Sequence, residues 1–124
     1  FVNLRSGGPA LSWLRYGPGL YFSQCSGKSN DYTGTKAMKP GPRGTLSVPH
    51  RSMLLCKVAL GRNKETIYDE PNLTKEALNQ EGFDSISGKV QEGGLGTLNF
   101  PEDVVFNSEA AIPSYLISYC IYDQ

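Results

Sequence analysis

The sequence predicts an α+β fold, mostly antiparallel β with one or two short helices, in a single domain spanning 1–124. Three observations carry this expectation. The 14 glycines and 8 prolines gather at 7–9, 17–19, 40–44 and 93–96 and cut the chain into short pieces. Several of those pieces are rich in aromatic and branched apolar residues, which suit a pleated surface. Helical material is scarce, confined to two short stretches. A chain of 124 residues can bury one core and is too short for two domains.

Taken in order, residues 1–16 show no clean period and read as a loop. Residues 19–23 follow a Pro-Gly turn and read as a short strand. A short helix is expected over 29–33, with Ser29 as its cap. Residues 33–49 have no cysteine and read as a Gly/Pro loop. The run 51–60 (RSMLLCKVAL) is apolar at nearly every position, which predicts a strand buried on both faces. The mixed charges of Arg62, Lys64 and Glu65 read as a solvated face. Residues 72–80 are helix material with Leu73, Ala77 and Leu78 as the apolar positions, and Gly82 is placed to end that helix. Two more strands are expected over 102–107 and 113–122.

Twelve acids balance twelve bases, so the chain has no excess of Lys and Arg for a stable grip on nucleic acid. The longest apolar stretch, 53–60, is interrupted by Lys57 and falls far short of the roughly 20 residues that span a bilayer, so no membrane partner is expected. Cys25, Cys56 and Cys120 are odd in number and far apart, with no Cys-x-x-Cys or Cys/His cluster to hold zinc. Free thiols in a reducing cytoplasm or nucleus, and no metal, are the expectation.

The residues with chemistry to offer lie between 16 and 32. Tyr21, Ser29 and Tyr32 supply the inventory for holding a flat aromatic amide: ring faces for the plane and a hydroxyl for the carboxamide. Ser29 and Tyr32, at i and i+3, share a helical face. On spacing alone a strand Tyr is usually core and such a Ser an ordinary cap.

A longer pattern bears on that choice. Tyr-Gly-Pro-Gly-Leu-Tyr-Phe-Ser (16–23) followed by Gly-Lys-Ser-Asn-Asp-Tyr (27–32) resembles two signature elements of the poly(ADP-ribose) polymerase and tankyrase catalytic domain. Downstream, His-Arg-Ser-Met-Leu-Leu-Cys-Lys-Val-Ala-Leu-Gly (50–61) is similar to the strand that crosses the sheet next in that family. Gly-Phe-Asp-Ser-Ile-Ser-Gly (82–88) resembles its glycine-framed segment, and 103–119 resembles its final strand pair. The similarity runs in order over nearly the whole chain.

That resemblance implies an ADP-ribosyltransferase-like split sheet and NAD as co-substrate. It implies that Tyr32 stacks on nicotinamide, that Tyr21 flanks the other side and that Ser29 bonds the carboxamide oxygen. Lys28 either reaches a phosphate of the cofactor or points to water. Residues 1–15 would match the loop over bound NAD, where Trp13 has a place to pack.

The chain also departs from the family. Alignment sets residue 1 after the family's His-Gly strand, so a domain lacking its first strand is expected. His50, the sole histidine, cannot be the family's histidine and reads as a turn or surface residue. Ser114 occupies the position of the family's catalytic glutamate. A hydroxyl can bond a ribose but cannot offset oxocarbenium charge as a carboxylate does. Glu109 is either a substitute for it or a solvated turn acid. The zinc-binding insert of tankyrases is not matched.

Two functions follow from the resemblance and its gaps. One is an enzyme that transfers single ADP-ribose units from NAD to a protein or nucleic-acid acceptor, releasing nicotinamide, with Tyr32 and Ser114 at the catalytic positions. The other is a pseudo-transferase kept as an interaction or regulatory module. An ADP-ribose reader of macrodomain type is more distant, because strand-helix alternation is absent.

Overall fold

The computed structural model describes residues 14–33, 50–91, 93 and 98–120. The expected loops over 1–16 and 33–49 lie almost wholly outside the described residues, as does Trp13.

The chain is α+β, with strands β1 (Leu20–Phe22), β2 (His50–Val58), β3 (Asn63–Thr66), β4 (Ser85–Gly88), β5 (Glu102–Val105) and β6 (Ala111–Cys120). Among the described residues, two short helices, α1 (Ser26–Asp31) and α2 (Lys75–Gln80), and a 3-10 turn over Ser108–Ala110 accompany them. The strands form a four-stranded sheet in the order β1-β5-β4-β3 and a two-stranded ribbon of β2 and β6. Every pairing is antiparallel except β3 with β4.

One face of the sheet carries the apolar core. Tyr21, Val104 and Ile86 stand side by side across β1, β5 and β4. Over them lie Tyr16, Leu73 and Leu78, with Ala77, Phe83 and Phe106 at the margin. α2 contributes as expected: Thr74 caps it by accepting the Ala77 N–H at 3.2 Å. Leu78 is fully buried on its inner face. Gly82 at φ +90°, just past the C-cap Glu81, ends it in the left-handed conformation that glycine favours.

The other face buries Phe22 and Val105 on its β1–β5 side and carries a satisfied polar cluster toward β3 and β4. The Ser85 hydroxyl donates to the Leu60 carbonyl at 2.6 Å. The Asn63 amide donates to Ser87 Oγ at 2.8 Å, and Ser87 donates to Asp103 Oδ1 at 2.5 Å. Register explains the cluster, since Asn63 pairs with Ser85, and Ser87 with Asp103. Among the described residues no fully buried side-chain polar atom lacks a partner.

Several expectations need correction. The strand expected at 51–60 forms, but it is not buried on both faces: only Met53 is buried and Leu55 is 39% exposed. Among the described residues β2 pairs with β6 alone in a ribbon, and no broad sheet of described strands covers it as the apolar run suggested. Residues 62–65, read as a solvated face, do leave Arg62 and Glu65 largely exposed, but Asn63–Thr66 also forms the parallel edge strand β3. Its charges are paired: Lys64 meets Glu70 at 3.0 Å and Glu81 at 2.8 Å, and the Glu81 hydrogen bond chiefly holds the Lys64 ammonium above its usual range. Arg62 likewise pairs with Asp84, whose carboxyl it holds below the usual range. The first helix begins at Ser26, so Ser29 lies inside it rather than capping it. The Ser23 hydroxyl accepts the Cys25 N–H at 3.1 Å, and that turn closes the approach to the helix instead. The strand expected at 102–107 stops at Val105 before the 3-10 turn. The last strand starts earlier than expected, at Ala111, and residues 121 and 122 of that expectation lie outside the described residues.

Cys25, Cys56 and Cys120 are free thiols. Among the described residues no helix is long and apolar enough to cross a membrane.

Candidate functional site

The segment 16–32 folds as a turn, a strand and a helix, and each piece has a local cause. Gly17 sits at φ +73°, and a Cβ there would lie 2.0 Å from the Leu73 carbonyl oxygen, so only glycine fits. Its own carbonyl accepts the Gly19 N–H at 2.9 Å and the Tyr21 hydroxyl at 2.7 Å. The Tyr16 N–H in turn donates to the Tyr21 oxygen at 3.0 Å. Tyr21 thus ties its own turn together while its ring packs against the core. Burial pushes its phenol up to about 12, against the smaller opposing effect of the Tyr16 backbone hydrogen bond. It is a neutral wall residue whose hydroxyl is engaged internally.

Helix α1 follows, only six residues long and with no side-chain cap. Isolated helices of that length do not persist in water, so contacts to its neighbours must hold it. Three successive side chains diverge from it. Lys28 reaches back to the sheet, where its ammonium meets the Glu102 carboxylate at 2.5 Å and donates to the Phe100 carbonyl at 3.1 Å. Asn30 reaches the ribbon: its Oδ1 accepts from Arg51 Nη1 at 2.9 Å and from the Tyr119 hydroxyl at 2.7 Å. Ser29 lies between them, only 8% exposed. Its hydroxyl makes no hydrogen bond to any group among the described residues.

Tyr32 is the C-cap, with its N–H on the Ser29 carbonyl at 3.2 Å and 40% of its surface exposed. Ser29 and Tyr32 therefore place an unbonded hydroxyl on a largely buried residue and a half-open aromatic ring at one end of one helix. Tyr21 stands on the strand just before that helix.

The remaining positions lie elsewhere. Lys28 neither points to water nor stands free for a phosphate, because it is held in the pair with Glu102. Ser114 is on β6, exposed, and is the extra residue of a β-bulge: Leu55 pairs with Tyr115 and Cys56 with Pro113. It lies five residues back from Tyr119, roughly 16 Å of strand at about 3.3 Å per residue. No hydrogen bond joins it to Ser29 or Tyr32. Glu109 is exposed in the 3-10 turn, where its N–H donates to Asn107 Oδ1 at 3.1 Å. His50 opens β2 opposite Cys120, with Nδ1 3.2 Å from the thiol sulfur.

Asn30, Arg51, Tyr119 and Glu102 organise the site but were not legible as site residues. An Asn inside a short helix was the one available signal, since Asn prefers caps and turns. Among the described residues no group of His, Cys, Asp and Glu is placed to hold a metal ion. A scan of the chain against models of known protein families matches none.

Proposed function

We propose that this chain carries the nicotinamide-holding part of an NAD-dependent ADP-ribosyltransferase that transfers single ADP-ribose units to an acceptor and releases nicotinamide. The observation that carries the reading is Ser29, a largely buried residue whose hydroxyl makes no hydrogen bond among the described residues, one helical turn from the half-open ring of Tyr32. No fully buried side-chain polar atom among the described residues lacks a partner, so the unbonded Ser29 hydroxyl is open to a ligand, whose acceptor can take its O–H. An aromatic amide suits both groups at once, stacking on Tyr32 while its carboxamide oxygen accepts the Ser29 O–H. Tyr21 then supports the site from behind, its hydroxyl tied to the Gly17 turn.

In this reading the chain's work is positioning: the clamp fixes the leaving group so that the ribose carbon faces the acceptor. No carboxylate stands at Ser114 to offset developing positive charge, which fits transfer of single units over polymer growth.

A second reading is favoured by the exposed place of Ser114 and by Lys28 being occupied with Glu102. It keeps nicotinamide-site binding but gives the fold a regulatory role without transfer.

The test is the melting temperature with and without benzamide, alongside incorporation of label from NAD. Benzamide at a hundredfold excess over its dissociation constant stabilises by about 2.7 kcal/mol, several degrees for a domain of this size. Tyr32→Ala and Ser29→Ala each reduce that shift, by roughly 1 kcal/mol of binding. A benzamide shift with label in single units supports the transferase. A shift without label supports the regulatory reading, and neither shift nor label removes both.

A further inference from the structure

Asn30 stands inside the motif Ser-Asn-Asp-Tyr, and neither the stacking ring nor the bonding hydroxyl uses it. Its surroundings are nevertheless specific. Its Oδ1 accepts from Arg51 on β2 at 2.9 Å and from Tyr119 on β6 at 2.7 Å. Arg51 and Tyr119 are direct partners in the ribbon register, so one oxygen is gripped by a cross-strand pair. On the opposite flank, Lys28 fastens the same helix to Glu102 and to the Phe100 carbonyl beside the four-stranded sheet. The helix that carries Ser29 and Tyr32 is thus held from two structures at once, and Ser29 sits between the two anchors.

We propose that Asn30 is a positioning residue for this clamp: by joining α1 to the Arg51–Tyr119 pair it sets where the Ser29 hydroxyl and the Tyr32 ring stand relative to each other and to the ribbon. The inference rests on the nicotinamide-site reading for its ligand, but not for the junction itself. Physically, α1 has six residues and no side-chain cap, so its own hydrogen bonds cannot fix its orientation. Lys28 alone leaves the helix free to pivot about one attachment. A second attachment two residues later, on another side of the helix, removes that freedom. The acceptor must be an oxygen, because both partners donate. Among the described residues the Asn30 amide nitrogen donates to nothing. Replacing the amide by a carboxylate therefore removes no bond and keeps both acceptances, one of them charge-assisted. A methyl group in its place keeps neither.

Full-length protein carrying Asn30→Ala, Asn30→Asp or Tyr119→Phe tests this, with benzamide affinity by titration calorimetry and amide hydrogen exchange of α1 as the two readings. Asn30→Ala is expected to weaken benzamide roughly 10-fold, the scale of one charge-assisted hydrogen bond, and to speed exchange at the Ser29, Tyr32 and Thr33 amides. Asn30→Asp restores both towards wild type, and Tyr119→Phe falls between. A purely structural loss would not be rescued by Asp in affinity and local exchange together. If the wild type fails to bind benzamide, the nicotinamide reading falls and exchange alone decides the junction: faster in Asn30→Ala and restored in Asn30→Asp, or the inference is wrong. Wild-type affinity in Asn30→Ala, or unchanged α1 exchange, overturns it.

Discussion

At the scale of single residues, tyrosines and glycines shape the ground on which the site stands. Tyr16 and Tyr21 both have phenols pushed from 10.0 up to about 12, chiefly by burial. Above pH 10 the unfolded chain gives up these protons while the folded chain keeps them, so the unfolded state binds fewer protons and stability falls with rising pH. The contribution is complete below pH 10 and is lost between about 10 and 12. Denaturant midpoints taken across that range should decline, and Tyr21→Phe should flatten the decline. At neutral pH Tyr21→Phe should cost about 1 kcal/mol, because the Gly17 carbonyl and the Tyr16 N–H lose a shared partner. Gly88 is set by close approach: a Cβ there would lie 2.1 Å from the Tyr16 hydroxyl oxygen and 2.7 Å from its ring carbon. Gly88→Ala should therefore destabilise by about 1–3 kcal/mol. A Tyr16→Leu background should lessen that penalty in a double-mutant cycle.

At the scale of elements, the two helices are stabilised in opposite ways. α2 is self-consistent, with a Thr74 cap, a glycine stop and apolar residues on its inner face. Thr74→Ala should cost it about 1 kcal/mol by equilibrium unfolding. α1 has none of those devices and depends on its side anchors. The Lys28 and Glu102 side chains are 11% and 8% exposed, so their pair is shielded from water. Lys28→Met should strand a buried carboxylate and cost about 3–5 kcal/mol. Lys28→Met with Glu102→Gln should recover much of that loss, which a double-mutant cycle would measure. If Lys28 instead served mainly a cofactor phosphate, the single variant would fold with wild-type stability. The ribbon is a third kind of element, long and well paired but covered on little of its surface. Its Ile112, Tyr115 and Leu116 are each more than three-fifths exposed.

At the scale of the whole molecule, stability concentrates on the apolar face of the four-stranded sheet. Leu78→Ala should cost about 2–5 kcal/mol, whereas Leu116→Ser on the ribbon should stay within about 0.5 kcal/mol of wild type. Thermal melts of the two variants side by side would show the contrast. Much of the local structure was legible in the sequence. The Gly17 and Gly82 breaks, the Leu73 and Leu78 pattern, and the strands near 20, 54, 104 and 116 all follow from turn chemistry and side-chain period, which act over a few neighbours. What was not legible depends on register between distant segments. β3 has the composition of a surface loop and is a strand because β4 offers it a parallel edge. The run in β2 suggested two covered faces because hydropathy records what a strand would tolerate, not what is there to cover it. Ser29 and Tyr32 could be named from the longer motif that resembles the family, since spacing alone favours a plain cap and core, and the glutamate-position Ser114 from alignment. The junction that holds the first two could not, since Asn30 and Tyr119 are 89 residues apart and meet only when α1 docks on the ribbon. The sequence by itself determined the chemical groups and the turns that present them. Tertiary structure alone decided which of those groups are buried, paired or left open, because partners that far apart are chosen by packing and strand register.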